Sequence, residues 1–187
     1  MELILIIGLL FAYIVLLICS LLYILWLGQS LLFPAPFVPL PKEVVKQLIN
    51  KVFLNDGGMF YDLGSGDGRV IRAVSRSYPK ALCIGVEKAL LPNVLSWLYS
   101  RRFFHSNIKF LRQDYNTVSL EKADVVFLYL WPGAMPGILE KIRQETPRNA
   151  KIICCRFPFP DTTPTDTQLI SHGGKNYHLY TYHVEHI

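Results

Sequence analysis

The feature that most constrains this chain is its N-terminal segment, because residues 3–27 read LILIIGLLFAYIVLLICSLLYILWL, without a charge or a proline. A helix of this length, at about 1.5 Å per residue, crosses a hydrocarbon core roughly 30 Å thick. A cleaved signal peptide would need a basic start, a shorter apolar stretch and a small-residue cleavage site, and a buried core helix would need a polar face. The segment therefore predicts one transmembrane anchor within residues 1–30, with residues 3–27 in the bilayer.

The basic residues that flank this segment predict its orientation, because Lys and Arg near a membrane span stay on the cytoplasmic side. The N-terminal flank has none, whereas Lys42, Lys46 and Lys51 follow the span. We expect a single-pass membrane protein whose domain after the span lies on the cytoplasmic side, or in the matrix if the membrane is organellar.

A proline-rich linker, residues 31–41, follows the predicted anchor. Its sequence FPAPFVPLP has four prolines in nine positions, which excludes a helix and favours an extended segment. The linker is either a spacer or a cover that packs Phe37 and Val38 over a site in the following domain.

Residues 42–187 alternate apolar strands with helical stretches, which predicts one α/β domain with a parallel sheet covered on both faces. A last pair of strands around Gly-Gly-Lys-Asn predicts a terminal antiparallel hairpin. This predicted layout resembles the Rossmann-like sheet of the class I methyltransferases. We place strands at 59–64, 81–86, 108–111, 123–130, 150–155, 168–172 and 177–184, and helices at 42–53, 69–77, 92–104 and 137–145.

The sequence DLGSGDGR, residues 62–69, lies between a predicted strand and a predicted helix, as in nucleotide-binding turns. Its glycines allow a tight turn and a close approach to a ligand. The carboxylates of Asp62 and Asp67 would repel a pyrophosphate at the helix N-terminus, whereas they favour the ammonium and sulfonium groups of S-adenosylmethionine. The loop therefore favours S-adenosylmethionine over NAD.

Two further acids follow the next two predicted strands. Glu87 ends the second strand, about twenty residues after the glycines, where a carboxylate accepts both ribose hydroxyls. Asp114, beside Tyr115, follows the third strand and can accept from an adenine amine. Because ligands bind at the carboxyl ends of strands in open α/β sheets, we expect these acids to share one site.

The predicted substrate side lies after the fourth and fifth strands. Tyr129 and Trp131 are either an aromatic wall near a cation or core or interface aromatics, and Pro132 follows them. The fifth strand runs into RFPFP, residues 156–160, which is either a rim of the cleft or a rigid loop.

The apolar helix, PFVPLP, DLGSGDGR, GVE and CRFPFP together resemble the membrane-anchored protein-lysine N-methyltransferases, whose mitochondrial members modify the ATP synthase c-subunit and the adenine nucleotide translocase. The resemblance implies methyl transfer from S-adenosylmethionine to a lysine amine of a membrane-associated protein. Two departures concern the substrate: KALLPN follows Glu87 where the family has Asn-Pro, and Leu-Trp-Pro stands where Val-Pro is expected.

With this resemblance, the predicted site has three parts. The cofactor residues are Asp62, Gly64, Ser65, Gly66, Asp67, Gly68, Glu87, Asp114 and Tyr115. The candidate catalytic residues are Asp67, Tyr129 and Trp131. The substrate cleft is formed by Pro36, Phe37, Val38, Pro39, Pro132, Arg156, Phe157 and Pro158.

Other functions stay open or are disfavoured by the sequence. Methylation of a small or lipidic molecule at the membrane, and a non-catalytic scaffold that binds S-adenosylmethionine, are the alternatives. Scattered basic residues, without interleaved aromatics, disfavour nucleic acid as a partner. The four cysteines form no CxxC pair and the five histidines no HExxH motif, so no metal is predicted.

Overall fold

The computed structural model describes residues 2–32, 38–101 and 106–187. It separates into two units, Met1–Pro36 and Phe37–Ile187. The first unit holds one helix, α1 (Glu2–Leu32), which continues past the predicted span. Its part Ile4–Ile24 is long and apolar enough to cross a membrane, and none of it is buried.

The second unit is built around one sheet, which has seven strands in the described residues. In the order β3-β2-β1-β4-β5-β7-β6, the first five strands are parallel, and β7 is antiparallel to both β5 and β6. This arrangement confirms the predicted Rossmann-like sheet with a terminal hairpin. The strands are β1 (Met59–Leu63), β2 (Leu82–Val86), β3 (Ile108–Leu111), β4 (Val125–Leu128), β5 (Lys151–Cys155), β6 (Asp166–His172) and β7 (Lys175–His183).

The helices of this unit are α2 (Lys42–Ile49), α3 (Arg69–Ser77), α4 (Leu90–Arg101) and α5 (Met135–Glu145). Two of them begin before the predicted residue. Pro92 lies in the first turn of α4, and α5 also carries a proline there. A first-turn proline loses no helical hydrogen bond, so it does not delay the start. The predicted helix 42–53 ends earlier, at Ile49, with Asn50 as its C-cap.

Two hydrophobic clusters of alternating strand residues lie on opposite faces of the sheet. On β1, for example, Phe60 belongs to one cluster and Tyr61 to the other. Helices α2 and α3 pack on the first cluster, and α5 packs on the second. Burying each large side chain contributes about 1.5–3 kcal/mol, so this two-sided core stabilises the sheet.

Candidate cofactor and active site

The three predicted acids meet at one edge of the sheet. Strands β1, β2 and β3 are parallel neighbours, and their register pairs Leu63 with Val86 and Val86 with Leu111. The backbone N–H of Glu87 donates to the carbonyl of Leu111 at 3.0 Å. The structure therefore brings the strand ends that carry Asp62, Glu87 and Asp114 side by side.

The glycine loop, residues 64–68, folds back onto the end of β2. The backbone N–H groups of Gly64 and Ser65 donate to the carbonyl of Val86 at 2.9 and 3.0 Å. Gly68 has a φ of +74°, and a Cβ there would lie 2.6 Å from the Phe110 ring. Position 68 therefore requires glycine both for its left-handed backbone and for the space it leaves.

Asp62 is a buried acid near the carboxyl end of β1, with an exposed fraction of 2%. Burial raises the pKa of Asp62 well above its ordinary range, and the negative charges of Glu87 and Asp67 raise it further. A bound cation at this point would stabilise the carboxylate, whereas a pyrophosphate would add to the repulsion. The electrostatics of Asp62 therefore suit an ammonium-bearing cofactor.

Glu87 connects the glycine loop to the segment that follows β2. Its Oε2 accepts from the backbone N–H of Gly66 at 3.0 Å, and its Oε1 accepts from that of Ala89 at 2.8 Å. A carboxylate has about four lone-pair sites, so both oxygens keep capacity for the hydroxyls of a ribose. The half-buried Glu87 is thus held in place and still able to accept hydrogen bonds.

Asp114 is held as a carboxylate at the end of β3. Its Oδ1 accepts from the backbone N–H of Asn116 at 2.9 Å, and its Oδ2 pairs with Lys88 Nζ at 3.0 Å. The hydrogen bond from Asn116, followed by Lys88, holds the pKa of Asp114 below its ordinary value. Tyr115 is half-buried beside it, and burial raises the pKa of its phenol.

Asp67 points into an ion pair with Arg69, a residue that the sequence analysis did not assign. Arg69 Nη2 lies 2.8 Å from Asp67 Oδ2 and Arg69 Nε lies 3.0 Å from Oδ1. The remaining guanidinium nitrogen, Nη1, donates to the carbonyl of Leu40 at 2.8 Å. Burial raises the pKa of Asp67, but hydrogen bonds and charge from Arg69 outweigh it, so the pKa lies below its ordinary value.

This contact joins the glycine loop to the end of the proline-rich segment. Val38 and Pro39 are exposed and Leu40 is buried, so the segment is attached through residue 40. Pro36 and Phe37, which we predicted to line the cleft, lie outside the described residues. Arg69 could have been noticed in the sequence as the residue that closes DLGSGDGR, but its partner Leu40 is distant along the chain.

Two polar side-chain atoms near the loops are buried without a hydrogen-bond partner in the described part of the chain. They are Ser65 Oγ and Asn93 Nδ2. A Cβ added at Gly85 would lie 2.9 Å from Ser65 Oγ, so the bare glycine leaves room beside this hydroxyl. An unpaired buried polar atom costs about 1–3 kcal/mol, which a ligand that bonds to it would recover. These atoms, with the three acids, fit a polar cofactor such as S-adenosylmethionine.

The second side of the edge is formed after β4 and β5. Tyr129 is half-buried, and burial raises the pKa of its phenol, although a hydrogen bond from Arg156 opposes this. Arg156 itself has a φ of +73°, which is unfavourable for a residue with a side chain. Its backbone N–H donates to the carbonyl of His178 at 2.7 Å, which holds this conformation in place. Strained residues of this kind cluster at functional sites.

The other predicted cleft residues that the structure describes after β4 and β5 are close to Tyr129 or Arg156 in the sequence. Trp131, Pro132 and Pro158 are exposed, whereas Phe157 is partly buried with the Arg156 guanidinium 5.5 Å from its ring centroid. The segment after Arg156 is held by Tyr182, whose phenol oxygen accepts from the backbone N–H of Phe159 at 3.1 Å. Tyr182 therefore supports this segment, and it lies here because β7 pairs with β5.

The described residues contain no group of three or more His, Cys, Asp or Glu side chains that could hold a metal ion. The thiols of Cys83, Cys154 and Cys155 are buried in the core. Burial raises the pKa of the Cys83 thiol to about 12.

Comparison with known proteins decides the family. Residues 62–166, more than half of the chain, match the model of the ANTKMT methyltransferase domain. The chain belongs to this family. The match includes the glycine loop, Glu87, Asp114 and the rim after β5, so membership confirms the resemblance drawn from the sequence. A methyltransferase domain of this kind has S-adenosylmethionine as its cofactor, as predicted.

Individual relatives support the assignment. The lysine N-methyltransferase of the ATP synthase c-subunit from Rattus norvegicus is 33% identical over 138 residues, which are 71% of this chain and 60% of that protein. A protein-lysine N-methyltransferase of Saccharolobus islandicus is 22% identical over 79% of this chain and 92% of that protein. The chain thus spans only about three fifths of the rat relative.

Solved structures support the fold of this ANTKMT methyltransferase domain. An RNA methyltransferase from Salinibacter ruber, crystallised with S-adenosyl-L-homocysteine, superposes with a TM-score of 0.71. The superposition covers 79% of this chain and 94% of that one, at 22% sequence identity. This likeness confirms the class I methyltransferase fold.

Proposed function

We propose that this chain transfers the methyl group of S-adenosylmethionine to a lysine amine of a membrane-associated protein. The observation that carries the proposal is the buried Asp62, set beside Glu87 and the glycine loop, in a domain whose relatives are named as lysine methyltransferases. The names of those relatives include the ATP synthase c-subunit, and we propose a substrate protein of that kind.

The first half of the site holds the cofactor, which supplies an already activated methyl group. Asp62 stabilises the positive charge of the cofactor, and Glu87 accepts hydrogen bonds from its ribose hydroxyls. Asp114 accepts a hydrogen bond from the adenine, and Tyr115 covers the adenine ring. Asp67 is neutralised by Arg69, so its role is to fix the glycine loop and the segment at Leu40. Because Asp67 is paired and its pKa is lowered, solvent is the better acceptor for the proton that the lysine amine releases.

The second half of the site positions the amine. Tyr129 offers an aromatic face and a phenol oxygen near Arg156, and the exposed Trp131 offers a second face. Aromatic faces attract cations, so they would guide a lysine ammonium towards the methyl group and exclude water. The rim formed by Arg156, Phe157 and Pro158 after β5, together with Pro132 after β4, would then hold the backbone of the substrate.

The proposed arrangement in the membrane has three parts. Residues 1–30 anchor the chain, residues 31–41 link it, and residues 42–187 carry the reaction. The absence of charge and burial in Ile4–Ile24 supports the anchor, and the lysines that follow it support a cytoplasmic or matrix domain. Anchoring raises the effective concentration of the domain near membrane substrates.

The experiment that tests this function follows the methyl group. The full chain, extracted and returned to its native membrane fraction, is incubated with donor that carries a radiolabelled methyl. We expect label in a discrete protein band, lost in the variants Asp62→Ala and Glu87→Ala. Label only in the lipid or small-molecule fraction would replace lysine by another acceptor, and donor binding without label would indicate a scaffold.

A further inference from the structure

Helix α4 carries its large apolar side chains on the outside. Seven of them are 40–61% exposed: Leu90, Leu91, Val94, Leu95, Trp97, Leu98 and Tyr99. Among residues 90–99, whose side chains are described, those that the helix buries are Pro92 and Ser96. A helix on the surface of a globular domain normally turns its apolar stripe towards the core. We call these seven side chains the α4 surface, and water solvates such a patch poorly.

The inverted orientation of α4 is fixed by the candidate cofactor site. A Cβ added at Gly68 would lie 3.0 Å from the Cβ of Ser96, so the two elements approach closely through small residues. The Ser96 hydroxyl donates to the carbonyl of Asn93 at 2.6 Å, which satisfies it inside the helix. Turning the α4 surface inward would push large side chains into the glycine loop. The surface therefore stays outside as long as the site is intact.

The other helices of the domain show the usual distribution. Helix α5 buries Ile138, Leu139 and Ile142 and exposes Glu140 and Gln144. The exposure of the α4 surface is therefore a local property of this helix and does not reflect a loosely packed domain.

The chemistry of α4 fits the surface of a lipid bilayer. Its twelve residues span about 18 Å, too short to cross a membrane but suited to lie along it. Trp97 and Tyr99 are residue types enriched at membrane interfaces. The helix contains no Asp or Glu, and the sequence continues from Arg101 into Arg102, which favours anionic headgroups.

The proposed anchor would keep the domain that carries α4 within the reach of one short linker from the bilayer. Helix α1 ends at Leu32 and α2 begins at Lys42, and the nine residues between them reach at most about 30 Å when extended. We infer that the α4 surface lies in the headgroup region of the bilayer, with the end of the sheet that carries Glu87 next to the membrane. This inference rests on the anchoring proposed above and is independent of methyl transfer.

Tryptophan fluorescence in lipid nanodiscs tests the inference, because the chain has three tryptophans, Trp26, Trp97 and Trp131. In the full chain, Trp26→Phe with Trp131→Phe leaves Trp97 as the only emitter. We expect brominated lipids to quench Trp97, most strongly when the bromines are near the glycerol end, since interfacial helices sit about 5–10 Å into the boundary. Iodide in the buffer should quench it weakly.

Matched charge variants give the control. Adding Leu91→Glu and Leu98→Glu to the Trp97 reporter should abolish lipid quenching and expose Trp97 to iodide. Leu169→Glu, at a side chain on β6 that is 55% exposed, should leave the quenching unchanged. Circular dichroism and donor binding verify that each variant is folded.

The remaining outcomes separate the competing explanations. If iodide quenches the fluorescence of Trp97 and brominated lipid does not, the inference is overturned. Trp97 shielded from both quenchers would overturn it in favour of a protein partner, a second copy or the substrate. A reporter with Trp97→Phe and Trp131→Phe leaves Trp26 in the proposed anchor, and failure of lipid to quench Trp26 would overturn the anchor as well. None of these outcomes depends on methyl transfer.

Discussion

At the scale of single residues, the surroundings of each acid in the site set the direction of its pKa shift. Asp62, Asp67 and Asp114 are close in the fold, yet burial raises the pKa of the first, whereas hydrogen-bonding partners lower the pKa of the other two. The sequence predicted all three as cofactor-binding acids, and Asp67 also as a catalytic candidate, but it did not predict the direction in which each pKa shifts. Their different partners, Arg69 and Lys88 among them, come from other elements, so the distinction required the structure.

The first prediction concerns Asp62→Asn. Folding raises the pKa of Asp62, so its contribution favours the fold below the ordinary carboxyl pKa and is lost as pH rises through the raised value. Without cofactor, Asp62→Asn should therefore raise the Tm at neutral pH, with a gain that shrinks in acid, while donor binding is lost. Thermal unfolding across pH and calorimetric titration of the donor measure both effects.

The surface variant Asp56→Asn is the control for Asp62→Asn. In the part of the chain that the structure describes, Asp56 pairs with Lys80, and both side chains are more than 70% exposed. Its change should stay within about 0.5 kcal/mol and leave donor binding intact. A Tm for Asp62→Asn that falls at neutral pH would contradict the electrostatic explanation of the buried acid.

The second prediction concerns Arg69→Gln, which removes the contacts to Asp67 and Leu40. Because Arg69 is partly exposed, we expect a loss of only about 1–2 kcal/mol of stability. The donor Kd should rise about tenfold, equivalent to about 1.4 kcal/mol, while kcat at saturating donor is retained. Arg143→Gln, at an exposed position on α5, should change neither quantity. A fall in kcat with an unchanged Kd would instead make Arg69 part of the chemical step.

At the scale of elements, the close contact between the glycine loop, β3 and α4 is the most demanding feature. Gly68 is the N-cap of α3, faces the ring of Phe110 and lies against Ser96 of α4. The sequence predicted the helix after the loop and a helix after β2, but it could not predict which face of α4 turns inward. That choice follows from space that exists only after the elements pack.

The third prediction compares Gly68→Ala with Gly57→Ala. Both glycines have a positive φ, +74° and +80°, so both variants incur about 1–2 kcal/mol of backbone strain. Of these two positions, only 68 brings an added Cβ close to other atoms. Gly68→Ala should therefore lose about 1–3 kcal/mol more of unfolding free energy than Gly57→Ala. Chemical denaturation measures the difference. Equal losses would show that the ring of Phe110 moves aside freely and that this contact does not constrain the loop.

At the scale of the whole molecule, the alternation of strands and helices was enough to predict a parallel sheet closed by an antiparallel hairpin, whereas the order of its strands came from the structure. The acids Asp62, Glu87 and Asp114 were predictable for the same reason, since each lies at or just after the carboxyl end of a strand. The positions that escaped prediction, Arg69, Tyr182 and the outward face of α4, depend on contacts between residues far apart in the chain. The domain that results is a methyltransferase fold with a candidate cofactor site at one edge and an apolar helix beside it.

The most direct test of the central claim is to locate the methyl group on its acceptor. The labelled protein band from the membrane reaction is digested, and its peptides are analysed by tandem mass spectrometry. We predict a mass increase of one or more methyl groups on a lysine side chain, present with the parent chain and absent with Asp62→Asn. Methylation of a residue other than lysine, or an unchanged lysine methylation with Asp62→Asn, would contradict the account.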